Sequence, residues 1–170
     1  HEEIYLISNI VENNRPIGAL GAGESVWHSD MSFEKQPPTA SCLYAVEVPS
    51  SGGATGFMSA FEAYRRLPPD LVRRIEGRSI KHDATTNSGG MLRKGYVRPE
   101  DLSTSPGEIH PIVKIDPSTR RPALFLGRRQ FAYVVGLPID ESEALLDELW
   151  EHVTGQTPTW HHQWKVRDLV

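Results

Sequence analysis

Short runs of β-branched and aromatic residues, separated by turn-forming ones, recur along the chain. Six read as strands: Ile4 to Ser8, Ala40 to Val48, Thr55 to Met58, Ile112 to Ile115, Ala123 to Leu126 and Phe131 to Val135. Asp116-Pro117-Ser118-Thr119 supplies turn chemistry between two of them, so Ile112 to Leu126 is predicted to be a hairpin. In two places the apolar period becomes helical. Ser59-Ala60-Phe61-Glu62 is a capping box, with Phe61, Tyr64, Leu67, Leu71 and Ile75 following at roughly helical spacing. Pro68-Pro69 interrupts that helix, and Pro69 to Glu76 restarts with a proline in its first turn. The other helix begins at Asp140-Glu141-Ser142-Glu143, presents Leu145, Leu146, Leu149, Trp150 and Val153 on one face, and is expected to stop at Gly155.

Between these helices, His82 to Glu108 is polar, carries Gly89-Gly90, Gly95 and Gly107, and shows no apolar period. A stretch of that length inside a domain is more often a functional lid than a connector, so closure over a ligand is expected of it. Short strands with two helical regions at their flanks predict a mainly β architecture, a sandwich or jelly roll with helical buttresses.

Composition narrows the classes of function. With 38% hydrophobic residues and a net charge of −4, the 170-residue chain can build one real core and offers no electrostatic reason to bind nucleic acid or an anionic membrane. No stretch approaches the ~20 apolar residues of a membrane helix. The single cysteine, Cys42, cannot form an intrachain disulfide, which suits a reducing cytoplasm. It lies in the apolar run Ala40 to Val46 and is expected to be a small core residue rather than a nucleophile.

Chemistry centres on Val26-Trp27-His28-Ser29-Asp30-Met31-Ser32-Phe33. On an extended segment, His28 and Asp30 fall on the same side because side chains alternate with period two. Imidazole plus carboxylate is a ligand set that suits non-haem iron(II). A lone His-x-Asp is nevertheless a common coincidence. The surrounding residues add to it. Trp27 to Phe33, Pro37-Pro38-Thr39-Ala40-Ser41, Leu43 to Pro49 and Gly52-Gly53-Ala54-Thr55-Gly56-Phe57 together resemble the core of the TauD/TfdA family of iron(II)- and 2-oxoglutarate-dependent oxygenases. The resemblance continues through Ala63 to Pro68, His110-Pro111-Ile112-Val113, Ala123 to Leu126 and the helix ending near Trp150.

That resemblance implies a double-stranded β-helix (jelly-roll, cupin-like) core. It also implies a dioxygenase that hydroxylates a small organic substrate using Fe(II), 2-oxoglutarate and O2, releasing succinate and carbon dioxide. It makes His28 and Asp30 metal ligands and Thr55 a hydroxyl that contacts the 2-oxoglutarate carboxylate. Glu24 falls where relatives can carry a substrate-contacting residue; the taurine enzyme has an amide there, so an acid argues against simple sulfonate recognition. The family's third ligand, a histidine, and its 2-oxoglutarate-binding arginine have no counterpart in these residues and are expected beyond Val170. Residues 1–170 thus read as a single catalytic domain incomplete at both ends. No other histidine is a strong substitute: of the strand neighbours His161 and His162 at most one can point inward, His110 precedes Pro111 at a strand entrance, His82 opens the polar stretch, and His1 and His152 have no supporting context. Arg128-Arg129 is expected to be solvated at a strand end. The partner is a small-molecule substrate, and a homo-oligomer is left open. Two other readings remain at this point: a zinc-type hydrolase using the same His/Asp face, and a jelly-roll binding domain without competent metal chemistry.

Overall fold

The computed structural model describes residues 4–18 and 26–170. Among them the chain is mainly β with a few helices: nine short strands and three α-helices. In chain order these are β1 (Val11–Glu12), β2 (Arg15–Pro16), β3 (Thr55–Met58), α1 (Ala60–Arg65), α2 (Pro69–Ile75), β4 (Ser79–Lys81), β5 (Ile109–Pro111), β6 (Val113–Ile115), β7 (Pro122–Leu124), β8 (Tyr133–Val134), α3 (Ile139–Gln156) and β9 (Thr159–His162). All strand pairings are antiparallel: β1 with β2, β3 with β9, β6 with β7, and β4 between β5 and β8.

Local signals explain the helices. The Ser59 hydroxyl accepts from the Glu62 N–H at 3.3 Å and starts α1, and Pro69 begins α2 where its missing N–H costs nothing. The longest helix, α3, does not stop at Gly155. It continues to Gln156 and ends at Thr157, whose extended backbone (φ −86°, ψ 127°) is what the following Pro158 imposes on its neighbour. Its inward face, Leu145, Leu146, Leu149 and Val153, is buried against Ile80, Ile112, Leu126 and Val134, among other residues of one apolar core. Each such side chain contributes roughly 1.5–3 kcal/mol by leaving water. The expected hairpin forms, with Val113 opposite Leu124 and Ile115 opposite Pro122. No described helix is long and apolar enough to cross a membrane.

Several expectations need correcting. Ile4 to Ser8 is not a strand. Ile4, Tyr5, Leu6 and Ile7 are exposed, and β propensity without a ladder partner among the described residues does not hold them extended in a sheet. The nearby hairpin β1–β2 was not anticipated; Asn13 and Asn14 turn it with φ of 49° and 61°, the left-handed conformation that asparagine tolerates. Ala40 to Val48 is not a continuous strand either. Only its middle pairs, through Leu43 and Val170 exchanging bonds of 2.7 and 3.0 Å, with Ala45 bonded to Arg167 and Asp168. Cys42 is exposed rather than in the core, because a segment with so short a ladder buries only alternate residues such as Ala45.

The polar stretch from His82, expected to close over a ligand, begins inside the fold. His82 to Thr86 are buried. Their polarity is absorbed internally: the Asp83 carboxylate accepts from the amides and hydroxyls of Thr85 and Thr86 at 2.6 to 3.1 Å. Arg128 is likewise buried rather than solvated, donating to the Asp83 carbonyl at 3.1 Å with its guanidinium 3.8 Å from the carboxylate. Arg129 is half-buried and ion-paired with Glu143 and Asp147 on α3. A guanidinium carries five donors, so a fold that supplies acceptors can take it inside.

Candidate active site

His28 is carried by a single β-bridge to Arg128, reinforced by the Ser29 N–H donating to the Gly127 carbonyl at 2.9 Å. Asp30 already lies in the turn that follows. The two side chains still meet: His28 Nε2 is 3.2 Å from Asp30 Oδ1. On its other side the ring contacts the Val26 carbonyl through Nδ1 at 2.7 Å. A carbonyl can only accept, so Nδ1 carries a proton and Nε2 is the nitrogen that faces the carboxylate. The Asp30 hydrogen bond, ahead of the opposing effect of burial, holds the His28 ring above the ordinary histidine range. Asp30 is correspondingly lowered, first by His28 and further by the Ser41 hydroxyl.

Both groups remain accessible, their side chains 29% and 52% exposed. Asp30 opens onto a cavity of about 300 Å³ whose walls include Pro37, Pro38, Leu43, Phe57 and Phe125, with Ser29 and Ser41 as polar points. One imidazole nitrogen and one carboxylate oxygen, set side by side where Asp30 borders a mostly apolar cavity, fit a divalent cation of the iron or manganese type. No group of three or more His, Cys, Asp or Glu side chains converges among the described residues. Phe57 and Phe125 were not singled out from the sequence. Phe57 could have been, since it lies two residues from Thr55 on the same strand face.

Thr55 opens β3, opposite His162 of β9. Its Oγ1 accepts from the Trp164 indole N–H at 2.9 Å. Thr55, Phe57, Trp160 and His162 share one face of the two-stranded ribbon, with ring centroids 5.5 Å apart for Phe57–Trp160 and 5.4 Å for Trp160–His162. The opposite face holds Trp27, which lies over Gly56: a Cβ there would come within 2.8 Å of the indole. This contact sets the residue preceding His28 against β3.

The remaining histidines have other occupations. His161 is exposed, on the ribbon face away from His162, and His162 contacts Asp168 Oδ2 through Nε2 at 2.9 Å. His110 is bonded to the Glu34 carbonyl and His152 to that of Arg66. His82 is 2% exposed, with neither ring nitrogen hydrogen-bonded among the described residues. Glu24 and His1 lie outside the described residues.

Comparison with known proteins assigns the chain. Pentalenolactone F synthase of Streptomyces arenae is 31% identical over the whole of this chain, which covers 60% of that protein. The alpha-ketoglutarate-dependent 2,4-dichlorophenoxyacetate dioxygenase of Cupriavidus pinatubonensis is 38% identical over 85% of the chain and 50% of its own length. The chain thus spans about half of the curated relatives it matches. Among solved structures, AAD-2 in complex with Mn(II) and N-oxalylglycine superposes with a TM-score of 0.70 at 28% identity, covering 87% of this chain and 62% of that one. A taurine dioxygenase from Burkholderia xenovorans gives 0.63 at 28% identity, covering 84% and 46%. Residues 1–170 in their entirety match the family described as taurine catabolism dioxygenase TauD, TfdA, and the chain belongs to that family.

Proposed function

We propose that the intact protein is an Fe(II)- and 2-oxoglutarate-dependent dioxygenase that hydroxylates a small organic substrate, working in the cytoplasm on a double-stranded β-helix core. The observation that carries this reading is the His28–Asp30 pair, with Asp30 on the cavity wall and the His28 Nε2 turned toward its carboxylate by the Val26 carbonyl. His28 and Asp30 hold the metal in this reading. The chemistry that iron(II), 2-oxoglutarate and dioxygen supply together is oxidative decarboxylation of the 2-oxo acid to succinate and carbon dioxide, coupled to hydroxylation of a C–H bond. The chain's own residues bind and shelter. Thr55 donates its hydroxyl proton to a 2-oxoglutarate carboxylate, and Phe57, Phe125 and Leu43 keep water from the reacting space. Glu24 is assigned to the substrate side. The mechanism needs a third metal donor, and none stands beside His28 and Asp30 among the described residues.

The test is substitution of each ligand in the intact protein. His28→Ala and Asp30→Ala should each weaken Mn(II) binding by about a hundredfold, by calorimetry, and abolish 2-oxoglutarate-dependent succinate formation with the circular dichroism spectrum unchanged. Near-normal metal affinity in both variants would overturn the assignment.

A further inference from the structure

Thr55 is the acceptor in its bond from Trp164, and this fixes more than a contact. An indole N–H can only donate, so the 2.9 Å bond to Thr55 Oγ1 takes up a hydroxyl lone pair and cannot reverse. Among the described residues that hydroxyl makes no bond as donor. Its proton is therefore left pointing away from Trp164 and available to an acceptor such as a carboxylate.

The indole is itself held. It meets His162 edge to face, with ring centroids 4.5 Å apart at 86°. His162 is anchored by Asp168 Oδ2 at 2.9 Å, and the same oxygen accepts the Lys165 amide at 2.8 Å. Asp168 is kept below the usual carboxylate range by that amide first, and then by His162. His162 stands directly opposite Thr55 in the β3–β9 register, so Trp164, two residues further on, reaches diagonally back across the ribbon. Asp168, His162, Trp164 and Thr55 form one connected line ending at the hydroxyl.

We infer that Trp164 is a positioning residue that aims the Thr55 hydroxyl proton at the carboxylate of a bound 2-oxo acid, with His162 and Asp168 holding the indole in place. The inference rests on Thr55 being a 2-oxoglutarate contact. A glutamine or histidine at 164 could accept as well as donate and would let the hydroxyl turn away. Tryptophan forbids that.

The experiment uses the intact protein loaded with Mn(II), with N-oxalylglycine titrated calorimetrically. Thr55→Val should weaken binding roughly tenfold, the loss of one charge-assisted hydrogen bond. Trp164→Phe should weaken it about three- to tenfold with Mn(II) affinity unchanged, and the double variant should bind no worse than Thr55→Val alone, because Trp164 acts through Thr55. Full affinity in Trp164→Phe beside a weakened Thr55→Val overturns the positioning role and leaves the Thr55 reading standing, as do additive losses in the double variant. Full affinity in Thr55→Val overturns both. If Trp164→Phe does not fold, the Trp164 indole 15N–1H resonance decides: it should move in Thr55→Val, and an unchanged position refutes the inference.

Discussion

Replacing Gly127 by alanine should be among the costliest single-methyl changes available in this chain. Gly127 has φ +65°, and a Cβ there would fall inside contact distance of His82 Nδ1, 2.5 Å from its Cε1 and 2.6 Å from Ser32 Oγ. Neither neighbour can yield easily, since His82 is 2% and Ser32 4% exposed. The left-handed backbone costs alanine about 1–2 kcal/mol, and overpacking a buried site adds about 1–3 kcal/mol. Gly136→Ala is the control: its φ is +84° with nothing within 4 Å of the built Cβ, so it carries the backbone cost alone. Urea unfolding of the intact protein at pH 7.5 should place Gly127→Ala about 2–5 kcal/mol below wild type and about 1–3 kcal/mol below Gly136→Ala. In a His82→Ala background the steric part should shrink, with the Ser32 Oγ contact remaining. The Gly127 carbonyl also holds Ser29, beside His28, so Mn(II) affinity should fall in the same variant. Gly127→Ala and Gly136→Ala unfolding within about 0.5 kcal/mol of each other would refute the steric reasoning.

Two further outcomes follow from buried polar groups. Burial first, then the charges of His110, Lys114 and Arg128, lower His82 from 6.5 to about 3. Between those values the unfolded chain takes up a proton that the folded one refuses, so stability is full above pH 6.5 and falls by about 1.4 kcal/mol per unit as pH drops toward 3. The difference in urea midpoint between wild type and His82→Leu should therefore change with pH from 7.5 to 5, and a constant difference would remove His82 as its source. Ser142 is fully buried, and its hydroxyl accepts from the Val134 N–H at 2.8 Å, tying α3 to β8. Ser142→Ala should cost about 1–3 kcal/mol by orphaning that amide; a loss below ~0.5 kcal/mol in the urea midpoint would show that the amide finds another acceptor.

What could be read from the sequence was what neighbours decide. Ser59 and Glu62 start α1 through bonds three residues apart, Pro69 restarts the chain as α2, and the Asp116 carboxylate turns the β6–β7 hairpin by accepting from the Ser118 and Thr119 amides. What could not be read depends on distant partners. Ile4 to Ser8 has strand composition but no ladder among the described residues, while Arg128 and Asp83, both surface-like in isolation, satisfy each other across the fold. The site divides the same way. His28 and Asp30 share a side, as alternation predicts, even though Asp30 has left the strand for a turn. The Trp164 bond to Thr55 has no local signature, because nothing in either segment points to the other.

That bond joins residues 109 positions apart, and the β3–β9 ribbon, the His28–Arg128 bridge and the pairing of Leu43 with Val170 span comparable lengths of chain. Such pairings make a slow folder, since loop-closure entropy is spent before any contact repays it. During synthesis β3 and the segment around Leu43 must leave the ribosome well before their partners exist, presenting unpaired edges beside exposed Tyr44 and Val46. The hazardous interval for aggregation is therefore the time taken to translate the residues between β3 and β9, and slow codons placed there would lengthen it.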